Sequence, residues 1–339
     1  MTTEQCKYSP VGSLILAAGS MIWGFAFTAQ KAASESLSPF SVNVIRFFIG
    51  ALALYLFDLL RTVCLKKRDP AYRPAPLSRT DLIAGGVCGT LLFIATTFQQ
   101  FSLDEGDAGI CAAITALYIV FVPLFGAILF RKRIGVFVVL GVAVALLGAY
   151  SLSVLGGLPD ADGVGSPSDF FSLARSATFS VGRPALFALL CSIVFSFQIL
   201  SVDRFASEVD GIRLSMMQFI VSGALGAPFL FALERPSPAD ILAALPPLLF
   251  LGILSCGVAY TFQIVGQAMT PPAVAAVVMS LESVFGALGG IWFLGERMNA
   301  PEILGCALIL AAVLTVELSA LRGKKKTDSP PPEDPIKDP

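Results

Sequence analysis

The amino-acid sequence predicts an all-α polytopic membrane protein: ten transmembrane helices arranged as two inverted five-helix repeats. Three observations predict it. Residues of the set AVILMFWYC make up 55% of the 339 positions and Asp, Glu, Lys and Arg only 14%, with a mean hydropathy of +0.79. A soluble domain usually carries about 25% charged residues, so lipid must solvate most of this exterior. The apolar residues are gathered into ten long runs, and the second half of the chain matches the first at a nearly constant offset. Length alone would suggest two soluble domains; composition overrules it.

A helix crosses roughly 30 Å of hydrocarbon with about 20 mostly apolar residues. The runs are Val11–Gln30, Pro39–Leu60, Leu82–Leu103, Ala108–Phe130, Ile134–Leu155, Pro184–Val202, Leu214–Leu233, Leu242–Ala268, Pro271–Leu294 and Pro301–Leu321. The third and eighth give weaker signals than the fourth and fifth. The first is longer than a secretory h-region, follows a single Lys7 and has no A-x-A site after it, so it reads as a retained helix. The chain then divides into an N-terminal segment, residues 1–10; a first repeat, 11–155; a linker rich in Gly, Ser, Pro and Asp, 156–183; a second repeat, 184–321; and a tail, 322–339, basic and then Pro/Asp-rich, which reads as disordered. Its lysines can meet anionic lipid, although a plain stop-transfer anchor also accounts for them.

Orientation follows from Lys and Arg on alternating sides. With the N-terminus cytoplasmic, the inner side holds Lys7, the set from Arg61 to Arg79, Arg131 to Arg133, Arg204, Arg213 and the tail. The outer side holds Lys31, Arg175, Arg183, Arg235 and Arg297, so the count is 17 against 5 with Arg46 inside a helix. Both termini are expected in the cytoplasm, with the linker outside.

The repeat emerges on shifting the first half forward by 164 residues. Thr97-Phe98-Gln99 lands on Thr261-Phe262-Gln263, Ala112 on Ala276, Leu117 on Leu281, Gly126 on Gly290, Arg133 on Arg297 and Gly141 on Gly305. For the earlier helices the offset is 172, placing Ser20 on Ser192 and Phe47 on Phe219. An odd number of crossings per copy forces the copies into opposite orientations, the design of many secondary transporters, whose substrate binds near the midplane between the halves.

Composition also narrows the chemistry. The net charge of -1 argues against nucleic acid as a partner. Histidine is absent, which removes the commonest metal ligand and proton relay. The seven cysteines are scattered without CxxC spacing and read as small fillers, so neither a metal nor another cofactor is expected.

Glu282 lies about eleven residues into the ninth run, roughly 16 Å deep, where a carboxylate costs a few kcal/mol or more unless protonated, paired or hydrated. It is a candidate for reversible protonation during transport, or a hydrogen-bonded structural glutamate; its repeat counterpart is Tyr118. Arg46, about 10 Å in from the outer end of the second run, can bind a substrate carboxylate, pair with Glu282, snorkel outward or cap carbonyls. Gln99, Gln263, Thr97 and Thr261 form a pseudo-symmetric polar set able to line a cavity or to join helices. Gln198, Gln218 and Asn43 are weaker candidates of the same kind, and Trp23 and Tyr260 are candidate cavity walls. Small-residue pairs at Gly85 and Gly89, Ser222 and Gly226, and Gly286 and Gly290 read as close helix contacts. Glu296-Arg297 reads as a local turn or capping pair or as a gate, and Asp104, Glu105 and Asp107, in a short external turn with Gly106, as a solvated loop in preference to a cation site.

Several stretches carry a family likeness. Trp23-Gly24-Phe25 followed by Lys31, Ser38-Pro39 with Arg46-Phe47, Leu117 to Leu124, Leu281-Glu282-Ser283-Val284-Phe285 and Phe293 to Met298 stand in order along the chain. With these motifs the sequence resembles the EamA-type branch of the drug/metabolite transporter superfamily, from Leu14 to Leu318. It departs from that pattern at Ser283, where the family often has Pro, and at Phe130-Arg131-Lys132-Arg133, where an acidic turn would sit. The resemblance implies a ten-helix carrier with both ends cytoplasmic, in a bacterial inner membrane, working by alternating access and exporting or exchanging a small metabolite. It leaves the substrate and the choice between monomer and dimer open. An enzyme would need a nucleophile, metal cluster or paired carboxylates, and a channel would show pore-lining polar repeats or charged rings; neither pattern is visible, while a receptor or scaffold stays open.

Overall fold

The computed structural model describes residues 8–74, 76–105, 108–130, 134–155, 158, 161–164, 166–176, 183–289, 292 and 298–327. Among them every regular element is helical. The first three spans are α1 (Pro10–Ser34), α2 (Pro39–Arg68) and α3 (Arg79–Glu105). The fourth is broken into α4 (Ala108–Thr115) and α5 (Tyr118–Phe130), and the fifth is α6 (Val136–Tyr150), carried on by a π-helical turn at Ser151–Leu155. A short helix, α7 (Pro167–Ser176), lies inside the segment read from sequence as a linker.

The sixth span is α8 (Arg183–Phe205). The seventh is α9 (Gly211–Phe229) with a π-helical end at Leu230–Glu234. After α10 (Pro238–Ala243), the eighth span runs through α11 (Leu245–Leu249), a π-helical stretch at Phe250–Tyr260 and α12 (Thr261–Gln267). The ninth is broken into α13 (Pro272–Met279) and α14 (Leu281–Gly289), and the tenth is α15 (Ala300–Thr327). Seven of these spans are long and apolar enough to cross a bilayer unaided, and three shorter apolar helices, Tyr118–Leu129, Val136–Tyr150 and Ala300–Val316, complete the ten.

Local chemistry explains the starts. Pro10, Pro39 and Pro272 stand at the first helical positions, where a missing N–H costs nothing. Ser78 and Asp81 cap α3 reciprocally, and Asp210 caps α9 by accepting from the N–H groups of Ile212 and Arg213.

The fourth and ninth spans are interrupted; mean hydropathy does not register a break in the hydrogen-bond ladder. Two expectations need correction. The tenth helix continues to Thr327, so residues 322–327, read as the start of a disordered tail, are helical. Lys and Arg are good helix formers and their charge suits a helix C-terminus. The ninth span breaks at Ser280 without proline, although the loss of Pro at 283 removed the usual cause; the Ser280 hydroxyl donates to Val277 O, competing with the helical pattern.

The exterior is apolar. Leu52, Phe57, Leu60, Ile128, Val136, Leu147, Phe231 and Leu314 are exposed, with many like them. Leaving each in water would forgo about 1.5–3 kcal/mol, so the bilayer is the solvent that makes this surface stable. Inside, small residues set the spacing. Gly85 and Gly89 of α3 lie against Met217 and Val221 of α9, and the Ser222 hydroxyl donates to Gly89 O at 2.8 Å.

The packing repeats itself when each span is exchanged with the one five places on. The third span packs on the sixth and the eighth on the first; the third packs on the seventh and the eighth on the second; the first packs on the ninth and the sixth on the fourth. Three pairs map onto themselves: second with seventh, fourth with ninth, fifth with tenth. That is the contact pattern of a pseudo-twofold axis. Five crossings per copy turn the copies over, so the axis lies in the membrane plane. Phe47 and Phe219, equivalent positions and both fully buried, stack at 5.8 Å and 11° beside it.

Candidate functional site

The breaks in the fourth and ninth spans fall at equivalent positions. α5 starts at Tyr118 and α14 at Leu281, so Tyr118 and Glu282, separated by the repeat offset, each open the second half of a broken helix. They touch: the Tyr118 hydroxyl donates to Glu282 Oε1 at 2.8 Å, across 164 residues. Two equivalent residues can contact each other only next to the axis that relates them, so this bond marks the centre of the molecule. Gly24 lets the first span reach the same place. A Cβ there would stand 2.5 Å from Phe285 Cβ and 2.7 Å from Glu282 O.

A cavity opens at this junction. Its walls include Trp23, Gln30 and Arg46 from the first two spans, Gln99 and Thr115 from the third and fourth, Phe195 and Ile199 from the sixth, Ser255, Tyr260 and Gln263 from the eighth, and Met279 and Glu282 from the ninth. The space between these walls, its open mouth included, is about 520 Å³. Trp23 and Tyr260 meet edge to face at 4.9 Å and 69°.

Arg46 is buried, 3% exposed. Its Nη1 donates to Gln30 Oε1 at 2.7 Å, its guanidinium carbon lies 5.2 Å from the Phe47 ring centroid, and its Nε has no partner. Of the alternatives open from sequence, the structure therefore pairs it with a glutamine and an aromatic face, and not with Glu282.

The structure brings seven of the sequence candidates to the cavity: Glu282, Arg46, Gln99, Gln263, Tyr118, Trp23 and Tyr260. Five lie outside its lining. Gln198 and Gln218 extend a chain of amides away from it, Gln263 Nε2 donating to Gln198 Oε1 at 3.2 Å and Gln198 Nε2 to Gln218 Oε1 at 3.4 Å. Thr261 bonds Gly257 O and Ser215, Asn43 donates to Thr96 O at 3.0 Å, and the Thr97 hydroxyl is buried without a partner. Asp104 and Glu105 close α3 rather than forming a loop, Glu105 pairing with Arg183 at 3.3 Å. Asp107, Gly290 and Glu296-Arg297 lie outside the described residues.

Sequence reading missed Ala26, Phe27, Gln30, Thr115, Phe195, Ile199, Ser255 and Met279. The repeat could have found one of them, since Phe195 is the counterpart of Trp23. Gln30 carried no such signal; it stood at the end of an apolar run, where a glutamine reads as an interface residue.

The chain is similar to known proteins along most of its length. The model of the EamA-like transporter family matches it twice, over residues 10–154 and 182–318. An uncharacterized transporter of Archaeoglobus fulgidus is 27% identical over 311 residues, 92% of this chain and 86% of the relative. The uncharacterized transporter YoaV of Bacillus subtilis is 22% identical over 301 residues, 87% of this chain and 92% of the relative. One solved crystal structure shares the fold with a TM-score of 0.68 at 19% identity, covering 93% of this chain and 99% of the other. The chain belongs to the EamA-like transporter family, and it is a multi-pass integral membrane transporter of a small molecule.

Proposed function

We propose that this family member is a secondary-active carrier that exports or exchanges a small metabolite by alternating access, with Glu282 as the proton-coupling group. The observation that carries the reading is the hydrogen bond between Tyr118 and Glu282 on the pseudo-twofold axis, at the matching breaks of two helices and at the wall of the cavity. Broken helices at the midplane between inverted repeats are where carriers of this build hold substrate and coupling ion. A carboxylate at that depth is costly unless it is partnered or changes protonation with the cycle. The other charged or titratable side chains of the lining are Arg46, Tyr118 and Tyr260.

In this reading both termini are cytoplasmic, as the 17-to-5 distribution of basic residues supports, and the membrane is the bacterial inner membrane. The two repeats, 11–155 and 184–321, rock against each other around the fixed cavity, and the segment between them, α7 included, lies outside the cell. The remaining sequence candidates, Thr97, Thr261, Gln198, Gln218 and Asn43, act as packing groups behind the wall.

The test is transport in proteoliposomes under an imposed pH gradient, with a broad metabolite panel. The unaltered carrier should move at least one solute faster with the gradient than without it. Glu282→Gln should keep its monodisperse fold and lose the response to pH. Gradient-driven transport that survives the substitution rejects Glu282 as the coupling group; a panel in which nothing moves rejects the carrier reading.

A further inference from the structure

We infer that the solute is held by a carboxylate on Arg46, and that its class is a small organic monocarboxylate with an apolar or aromatic flank. This rests on the carrier reading above. An arginine 3% exposed needs a counter-ion or a full set of acceptors, because an unpaired buried cation costs several kcal/mol. Arg46 has neither. No Asp or Glu among the described residues lies within 4.0 Å of it, its one hydrogen bond goes to the neutral Gln30, and its Nε–H is orphaned.

The other charged group of the cavity does not supply the missing partner. Glu282 is turned to Tyr118, which reaches it from the opposite broken helix. A second orphaned donor, Trp23 Nε1, belongs to the same lining. Unmet donors around a buried guanidinium call for an acceptor-only group, and a planar carboxylate offers two oxygens with several lone-pair directions. The Phe47 face beside the guanidinium stabilises the cation without using any of its N–H groups.

Charge count selects a monoanion. Arg46 is the one basic residue in the lining among the described residues, so a dianion would carry a second charge with no cation there to meet it and with Glu282 near by. The rest of the wall selects the flank: Trp23, Phe27, Phe195, Ile199, Tyr260 and Met279 present rings and alkyl surface.

The test uses the purified full chain in detergent, with binding read by thermal shift and titration calorimetry. Four probes share one skeleton: 3-phenylpropionate, its neutral amide, 3-phenylpropylamine, and L-phenylalanine as the zwitterion. The acid should stabilise the protein, and the amide and amine should not. Arg46→Gln should weaken the acid by roughly 10- to 100-fold, with Arg46→Lys between. Equal responses to acid and amide, preference for the amine or the zwitterion, no response to the acid, or an undiminished response in Arg46→Gln overturns the proposal. Should Arg46→Gln fail to fold, the acid-against-amide comparison in the unaltered protein decides alone. If the acid fails while neutral or cationic metabolites are transported, the carrier reading stands and this class falls. If the acid binds selectively but nothing is transported, the reverse holds.

Discussion

The two halves share a scaffold and divide the chemistry of the cavity between them. At equivalent positions on the wall the first repeat places Trp23, Gln99, Thr115 and Tyr118, and the second places Phe195, Gln263, Met279 and Glu282. Arg46 faces Gln218 in the same correspondence, so the buried cation comes from one half and the buried carboxylate from the other. Glycines and stacked aromatics that set helix spacing tolerate duplication, because packing is needed equally on both sides of the axis. A binding site for one asymmetric solute does not, because a symmetric cavity would present the same groups to both ends of it. Among these positions Gln99 and Gln263 match, whereas Trp23, Arg46, Thr115 and Tyr118 differ from their counterparts.

The sharpest way to break the comparison is to impose one half's choice on the other. Gly24 corresponds to Ser196, which is buried and donates its hydroxyl to Ser192 O. Gly24→Ser copies the second half into the first, yet its Cβ would meet Phe285 and the Glu282 backbone at 2.5 and 2.7 Å. We expect a loss of about 3 kcal/mol, the upper end of overpacking costs, read as a fall in melting temperature in detergent. A stable Gly24→Ser protein would mean that the first and ninth spans are not held this closely.

Next in size is the axis itself. Tyr118→Phe removes the donor to Glu282 and should cost ~1–3 kcal/mol. The loss should vanish in the double variant Tyr118→Phe/Glu282→Leu, where no polar group is left stranded; a loss that persists would assign the effect to ring packing. The twin glutamines should then separate. Gln263 is tied to Gln198, whereas the Gln99 side chain has no hydrogen-bond partner among the described residues. Gln263→Leu should lower stability by about 1 kcal/mol and Gln99→Leu should leave the melting temperature nearly unchanged. Equal losses would restore the symmetry.

The last comparison concerns the two ends of the second and seventh spans. Asp210 caps α9 within its own strand of chain and pairs with Arg61 at 3.1 Å. At the other end, Glu234 reaches across to accept from Phe40 N, Ser41 N and the Ser41 hydroxyl, capping α2 from a neighbouring helix. Glu234→Gln keeps one accepting oxygen, turns an amide NH2 toward the other backbone N–H and removes the charge facing the helix N-terminus, a change of about 1 kcal/mol that differential scanning fluorimetry at low salt should resolve. No shift at all would mean that Glu234 does not cap α2 in solution.

Much of the architecture was legible from the residues. Ten crossings follow from ten apolar runs, and inversion follows from an odd number of them in each copy. The broken spans were not legible. Neither break sits at a proline, and Ser283, which stands where the family often has one, left a kink in the ninth helix in doubt. Of the site, residues singled out by charge or by a repeat partner, such as Arg46, Glu282 and Gln99, could be named in advance. Gln30 and Thr97 show the limit of that signal: Gln30, without a polar repeat partner, holds the buried arginine, whereas Thr97, which has one, lies outside the lining with its hydroxyl buried and unpartnered.

Composition and order by themselves determined the solvent, the number of crossings and the pairing of the halves, because these depend on the length of apolar runs and on offsets along one dimension. The tertiary structure alone decided which side chains share the cavity. In a membrane the lipid-facing and protein-facing sides of a helix are both apolar, so no periodicity records the rotation of a span about its own axis. That rotation is set by contacts such as Gly24 on Phe285 and Ser222 on Gly89, between residues far apart in the chain.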